Sequence, residues 1–408
     1  MVIESIELTS YQKDFFREFI KQDSNIYVIL SPRQVGKSIT LEQLMFYQAI
    51  NRPNQYVMFL SPTFSQARKV FRETRDLIQD SGALRKANES TLELLFVNGS
   101  QVSFKSAEQG QSLRGFTCTL LIIDEAAYVS DEVFNVLLPT TNAKKAKIVL
   151  ASTPNFKDGF FYQYYTDGCN GINGVISFDW SKYDLSQFLP PDKLEVLRRT
   201  VPIIRFQTEY LAKFIDNDQF GVFQGFENCV YKSAPPVKAT TKFYAGIDWA
   251  AGVSGDHTVV TIIDNEKVVR DLLILEGEID ANNAIKKVEA FLAKWRVTDC
   301  MVEKNSIGQI YKDMLTKAIG KNVNITVFNT TNDHKRNIIE KLAIAFQNRT
   351  IQIPQNETLL TELSKYQIEK TRNGSVTYNA QSGYHDDTVM SLAIAFHFAD
   401  KVSYNWVS

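Results

Sequence analysis

Ser31-Pro32-Arg33-Gln34-Val35-Gly36-Lys37-Ser38 follows the apolar run Tyr27-Val28-Ile29-Leu30 and leads into Ile39-Thr40-Leu41-Glu42-Gln43-Leu44. Strand, glycine loop and helix in that order make a P-loop, with one departure from G-x-x-x-x-G-K-[ST]: Ser31 stands where the first glycine belongs. The rest of the signature has specific chemistry. Backbone N–H groups from Ser31 through Arg33, Gln34 and Gly36, together with the helix N-terminus, would cradle phosphates. Lys37 would reach the β and γ phosphates, and the Ser38 hydroxyl would ligate Mg2+. A chance G-K-S at a strand-to-helix turn is the competing reading, so the fold is decided by what lies around it.

Working outward, Leu120-Leu121-Ile122-Ile123-Asp124-Glu125 is a buried strand ending in two carboxylates, as a Walker B element requires. Asp124 would hold Mg2+ through water, and Glu125 would act as general base on the attacking water. Lys147-Ile148-Val149-Leu150-Ala151 supplies another strand, with Ser152 and Thr153 at the end where α/β sheets place ligands; either hydroxyl could sense the γ phosphate. Arg33, inside the loop, and Arg114, before the Walker B strand, are both candidates for an arginine finger. With Tyr56–Leu60, these runs predict a mainly parallel α/β sheet, a helix over Ser65–Gln79 and a hairpin around Asn98-Gly99. From Phe160 to Ile215 the pattern loosens into aromatic and helical pieces, which reads as a lid.

A second strand rhythm begins at Phe243 and carries a second set of acids. Asp248 ends the run Tyr244-Ala245-Gly246-Ile247, Glu303 ends Cys300-Met301-Val302, and Asp386-Asp387 open the closing apolar helix. Close carboxylates repel unless cations neutralise them, so oxygen-ligated Mg2+ or Mn2+ is the natural occupant. Two such ions would serve phosphodiester cleavage. Asp256 and His385 stand second in rank. Each acid also has a plain reading: Asp386 or Asp387 as a helix cap, Asp248 as a turn residue, Glu303 as a solvated strand end. Tyr366 to Tyr378 alternates around Asn373-Gly374 as a further hairpin.

The 408 residues carry 45 Lys and Arg against 46 Asp and Glu, a net charge of -1, so any nucleic-acid surface must be local. Four widely spaced cysteines argue against a zinc site or a disulfide framework and suit a reducing, intracellular setting. No signal peptide and no run of 18 apolar residues is read, so no membrane span is expected.

In order along the chain, SPRQVGKS, IIDEA, ASTPN, GIDWAAGVSGD, VEKNSIG and GYHDDTVMSLA resemble the large terminase subunit of tailed bacteriophages. The resemblance spans nearly the whole chain. It implies a P-loop ATPase of the additional-strand, catalytic-glutamate type at 1–165, a lid subdomain at 166–216, a connection at 217–240 and an RNase H-like nuclease at 241–408. In that family the P-loop often lacks its first glycine and carries an arginine four residues before the lysine, as Arg33 stands here. Gln12 matches the glutamine that contacts adenine, and Arg114 takes the place of an arginine acting between subunits; which arginine is the finger stays open. Asp248, Glu303 and Asp387 would hold the nuclease metals, with Asp386 and Asp256 nearby and Asp387 favoured over Asp386. The hairpin at Asn373-Gly374 and the run His334-Lys335-Arg336 would touch DNA.

The function so implied is ATP-driven translocation of double-stranded DNA into a procapsid and two-metal cleavage of concatemeric DNA. It would use ATP and Mg2+, with Mn2+ a substitute in the nuclease, and its movement would be read out along the 217–240 connection. Partners would be the portal protein, the small terminase subunit and further copies in a ring, from a monomer in solution. The setting would be the host cytoplasm, docked transiently on the procapsid and absent from the mature virion. Two alternatives share the motifs: a cellular ATP-dependent repair nuclease or helicase-nuclease, and a non-enzymatic, nucleotide-gated DNA-binding assembly factor.

Overall fold

Strands buried on both faces read as unbroken apolar runs, and those flanking the P-loop are buried almost end to end. The structure is a computed structural model and describes residues 7–21, 24–142, 146–216, 221–250, 257–276, 280–303, 308–320, 322–329, 331–370 and 376–404. The chain divides into two compact units, one of Met1–Glu195, Ile204–Gln219 and Lys370–Ser375, the other of Val196–Ile203, Phe220–Glu369 and Val376–Ser408.

The first unit is built on an eight-stranded sheet of order β3-β4-β5-β2-β6-β7-β1-β8. The strands are β1 (Ile26–Leu30), β2 (Tyr56–Ser61), β3 (Leu84–Asn88), β4 (Glu93–Phe96), β5 (Gln101–Ser106), β6 (Leu120–Asp124), β7 (Lys147–Ser152) and β8 (Val175–Asp179). From β5 to β8 every pairing is parallel, while β3 and β4 join antiparallel. Helices α1 (Ser10–Lys21), α2 (Lys37–Asn51), α3 (Phe64–Ile78), α4 (Asp131–Asn142) and α5 (Gly159–Cys169) alternate with the strands, and α6 (Pro191–Thr200) and α7 (Ile203–Arg205) follow.

The hairpin expected around Asn98-Gly99 is β4 and β5, with Glu93 opposite Ser103, and the helix expected from Ser65 is α3. The sequence reading isolates neither β3 nor β8. Both lie at sheet edges and are only half buried, so their apolar runs are diluted. Because β8 pairs with β1, the sheet takes in residues that the sequence reading assigns to the lid.

Register brings the motifs together. Leu30, just before the P-loop, pairs with Ser152, and Asp124 pairs with Ala151, so loop, acids and hydroxyls share the carboxyl edge of adjacent strands.

The second unit carries a five-stranded sheet of order β12-β11-β10-β13-β14. Its strands are β10 (Phe243–Asp248), β11 (Thr258–Asp264), β12 (Val269–Leu275), β13 (Asp299–Glu303) and β14 (Asn324–Phe328). The first three form an antiparallel meander, and β13 and β14 continue parallel to β10. Two small ladders add β9 (Val230–Tyr231) to β15 (Ile353–Pro354) and β16 (Tyr366–Lys370) to β17 (Val376–Ala380). The expected hairpin is thus present as strands, while its turn at Asn373-Gly374 lies outside the described residues.

Helices α8 (Ala281–Lys294), α9 (Gly308–Ile319), α10 (Asn332–Gln347), α11 (Glu357–Lys365) and α12 (Asp387–Tyr404) complete the unit. Gly246, at the centre of β10, lets α12 lie against the strand: a Cβ there would collide with Ser391 O and Ala395 N, both backbone atoms. Ser391 fastens the crossing by donating to Gly246 O (2.9 Å). Among the described residues no helix is long and apolar enough to cross a membrane.

His397, on α12, is buried with its Nδ1 lacking a hydrogen-bond partner among the described residues. Burial, and then the Lys341 and Lys401 cations, push it down to about 4. The unfolded chain therefore takes up a proton near the ordinary histidine value of about 6.5, which the folded chain refuses until about pH 4. Stability conferred by the neutral ring is present above about pH 6.5 and is lost as pH falls through that window, by on the order of 2 kcal/mol. In His397→Leu this part of the acid sensitivity should disappear, seen as a smaller drop in the urea midpoint between about pH 7 and about pH 4.5.

Candidate nucleotide and metal sites

In the first unit the P-loop closes on Lys37, the first residue of α2, with Gly36 as the preceding cap at φ 87°. The left-handed backbone at Gly36 favours glycine, and a side chain there would also displace Gln12 Nε2, 2.8 Å away. Gln12 itself is buried: its amide donates to Gly36 O (3.2 Å) and Thr40 Oγ1 (2.9 Å), and its oxygen accepts from Thr9. The glutamine thus ties the start of α1 to the loop, and Tyr11 adds a hydroxyl bond to Val35 O.

Lys37 is 8% exposed and sits between two acids, with Nζ 2.5 Å from Glu125 and 3.3 Å from Asp124. Burial alone would push its ammonium down, but Glu125 and Asp124 carry it above the ordinary lysine range. Burial raises Asp124, and Lys37 only partly offsets this. For Glu125 the balance reverses: despite burial, Lys37 and a hydrogen bond from Ser152 Oγ (3.2 Å) hold it low and ionised. Glu125 also adopts a left-handed backbone (φ 50°, ψ 45°), a strained turn that aims its carboxylate back at the lysine.

Ser152 is therefore engaged with Glu125, and Thr153 lies 3.5 Å from the Tyr128 hydroxyl. Ser31 is fully buried; its N–H donates to Ser152 O, and its hydroxyl has no partner among the described residues. Ser38 is exposed at the mouth of the loop. Arg33 is drawn to a turn after α7: its guanidinium pairs with Glu209 (3.0 Å), which also holds Arg205 (3.2 Å), and its N–H donates to Glu209 O. Gln34 accepts from Lys193 (3.1 Å). Arg114 is in none of these contacts. It stands exposed and lines a surface hollow of 790 Å³ with Gln111, Phe116, Glu132 and Asn135.

In the second unit, the parallel register of Ile247 with Val302 carries Asp248 alongside Glu303 on the neighbouring strand. Asp248 is 7% exposed. Burial, a hydrogen bond and charge from Glu303, and the charges of Asp387 and Asp386 push it well above the carboxylate range. Asp387 reaches this edge because α12 crosses Gly246 at Ser391, one helical turn later, and its Oδ2 accepts the His257 N–H (2.9 Å). Asp386 turns to Lys335 on α10 (3.1 Å). His385 is exposed, its ring 5.4 Å from that of His257. Asp256 lies outside the described residues.

An all-carboxylate donor set, in which burial and the neighbouring acids raise Asp248, fits a hard divalent cation. Among the described residues no three such groups already converge on one point as ligands. Sequence reasoning missed Glu362, which is buried against the start of α12 and belongs to no motif, and it gave no role to Gly246, whose part shows only where α12 packs on β10. Lys335 it placed on DNA, and the structure pairs it with Asp386.

Two family descriptions match the chain: "Terminase large subunit, T4likevirus-type, N-terminal" over residues 28–228 and "Terminase RNaseH-like domain" over 245–398. The large terminase subunits of Thermus virus P23-45 and Thermus phage G20c are each 22% identical over 89% of this chain and 82% of their own length. The large terminase of a thermophilic bacteriophage has a similar fold, with a TM-score of 0.62 at 14% identity over 97% of this chain and 99% of that one. Another structure of that same phage terminase, solved in complex with ADP, aligns with a TM-score of 0.58, also at 14% identity, over 95% of this chain and 98% of its own.

Proposed function

The chain belongs to the terminase large subunit family, with that family's ATPase and RNase H-like nuclease domains, and from that premise we propose that it drives double-stranded DNA into a procapsid and cuts concatemeric DNA there. The observation that carries this reading is that one chain builds two distinct acidic sites, one tied to a P-loop lysine and one assembled from three separate elements.

At the first site Lys37 neutralises Glu125. Arriving ATP phosphates would draw Lys37 away, leaving Glu125, still held by Ser152, to take a proton from the attacking water. Asp124 and Ser38 would hold the Mg2+ of the nucleotide, and Gln12 would turn part of its amide toward adenine. Arg33 or Arg114 would meet the developing negative charge; Arg33 must first leave Glu209, so loop and lid would respond together to the nucleotide.

At the second site Asp248, Glu303 and Asp387, with Asp386 beside them and Asp256 as a further acid, would hold the nuclease ions. Bound Mg2+, or Mn2+ in its place, would supply an activated water and charge neutralisation at the leaving oxygen. Lys335, already beside Asp386, would meet the DNA backbone. Partners would be the portal protein, the small subunit and further copies in a ring in the host cytoplasm.

The test is packaging itself. Purified chain, ATP and linear DNA are mixed with empty procapsids that carry or lack their portal, and nuclease-protected DNA is measured. Protection should require both ATP and the portal. Cleavage and ATP hydrolysis without any portal-dependent protection would favour a repair nuclease instead.

A further inference from the structure

We infer that Glu362 is a positioning residue that sets Asp387 for metal binding, an inference that rests on the metal-site reading of Asp248, Glu303 and Asp387. The first N–H groups of a helix lack partners within it and are usually served by the residue just before. At α12 that residue is Asp386, which reaches instead to Lys335, while Asp387 accepts from the His257 N–H. The acceptor comes from another helix. Glu362 Oε2 on α11 takes the Thr388 N–H (2.9 Å), the Thr388 hydroxyl (2.5 Å) and the Val389 N–H (3.4 Å).

Glu362 is 4% exposed, and a carboxylate is costly to bury unless its bonds are needed. Its own helix is rigidly seated: Asn356 caps it at Leu359 N (3.0 Å), and Leu359 and Leu363 are fully buried. Thr388 and Val389 follow Asp387 directly, so three bonds to them fix the rotation of the turn from which Asp387 projects. The His257 N–H steadies the carboxylate from the other side. Carboxylate, helix turn and Glu362 form a chain of support of the kind that tunes metal ligands from behind.

An ordinary helix cap would make the same bonds, so the test must separate stability from metal binding. Mn2+ binding to the nucleotide-free full chain is measured by calorimetry, alongside thermal melting, for the parent, Glu362→Ala, Glu362→Gln, Thr388→Val and Asp248→Asn. Glu362→Ala should weaken Mn2+ binding by about tenfold or more, whereas Glu362→Gln, whose carbonyl oxygen still accepts from Thr388, should restore most of it. A folded Glu362→Ala that melts lower yet binds Mn2+ like the parent would overturn the inference in favour of a helix cap. If Glu362→Ala fails to fold, Thr388→Val decides: about threefold weaker binding supports the role, and parent affinity overturns it. Equal Mn2+ binding by the parent and Asp248→Asn would instead remove the metal site itself, and the inference with it.

Discussion

Asp248→Asn should cut supercoiled plasmid on the order of 1,000-fold more slowly than the parent in Mg2+ or Mn2+, while hydrolysing ATP at the parent rate. Metal-assisted charge stabilisation supplies several kcal/mol to such reactions, and each 1.4 kcal/mol or so is about a factor of ten. Asp248 ends the central strand, and its pKa is raised first by burial and then by Glu303, Asp387 and Asp386 together, which makes it the shared member of the acidic group. Asparagine keeps its shape and removes the charge that the neighbours oppose, so the melting temperature should hold or rise. Gel resolution of nicked and linear products, beside a phosphate-release assay, reads both halves. Cutting at the parent rate would move the nuclease centre elsewhere.

Glu125→Gln should lower ATP turnover by about 100- to 10,000-fold, the range expected for loss of a general base, while ATP still binds. The loop amides and Lys37 remain; the glutamine carbonyl oxygen can still accept from Lys37, while its amide nitrogen, standing where the carboxylate accepts from Ser152, would donate to that hydroxyl instead. Titration of a fluorescent ATP analogue should return an affinity near that of the parent, in contrast to Lys37→Ala, in which binding itself should fail. Turnover unchanged in Glu125→Gln would show that another group accepts the proton.

Much of this architecture was legible because parallel strands advertise themselves. The runs ending in Leu30, Asp124 and Ser152 are long, apolar and capped by chemistry-bearing residues, and their adjacency follows from placing each motif at a strand end. The edge strands β3 and β8 were not legible, since half-exposed edges mix polar and apolar residues without a clear period. At the acidic edge, the types and order of Asp248, Glu303 and Asp387 could be read from their positions after apolar runs. What sequence could not supply was depth: that Arg33 is held by Glu209, that Ser152 serves Glu125, or that Glu362 rather than an aspartate receives the first N–H groups of the last helix. Each of these joins residues far apart in the chain through side-chain packing, for which no periodicity exists.

The contact at Gly246 has an implication for timing. With Ser391 and Ala395 pressed on the bare backbone of the central strand, α12 has no room to rock inward, and the Ser391 bond to Gly246 O holds its register. Asp387 is thus carried by an element that cannot serve as a trigger. If the chain moves long lengths of DNA intact and then severs them at chosen moments, as proposed above, it would not arm its blade by bringing helix and strand together. On that reading restraint would come from outside the blade, by governing when DNA and cations are admitted to it.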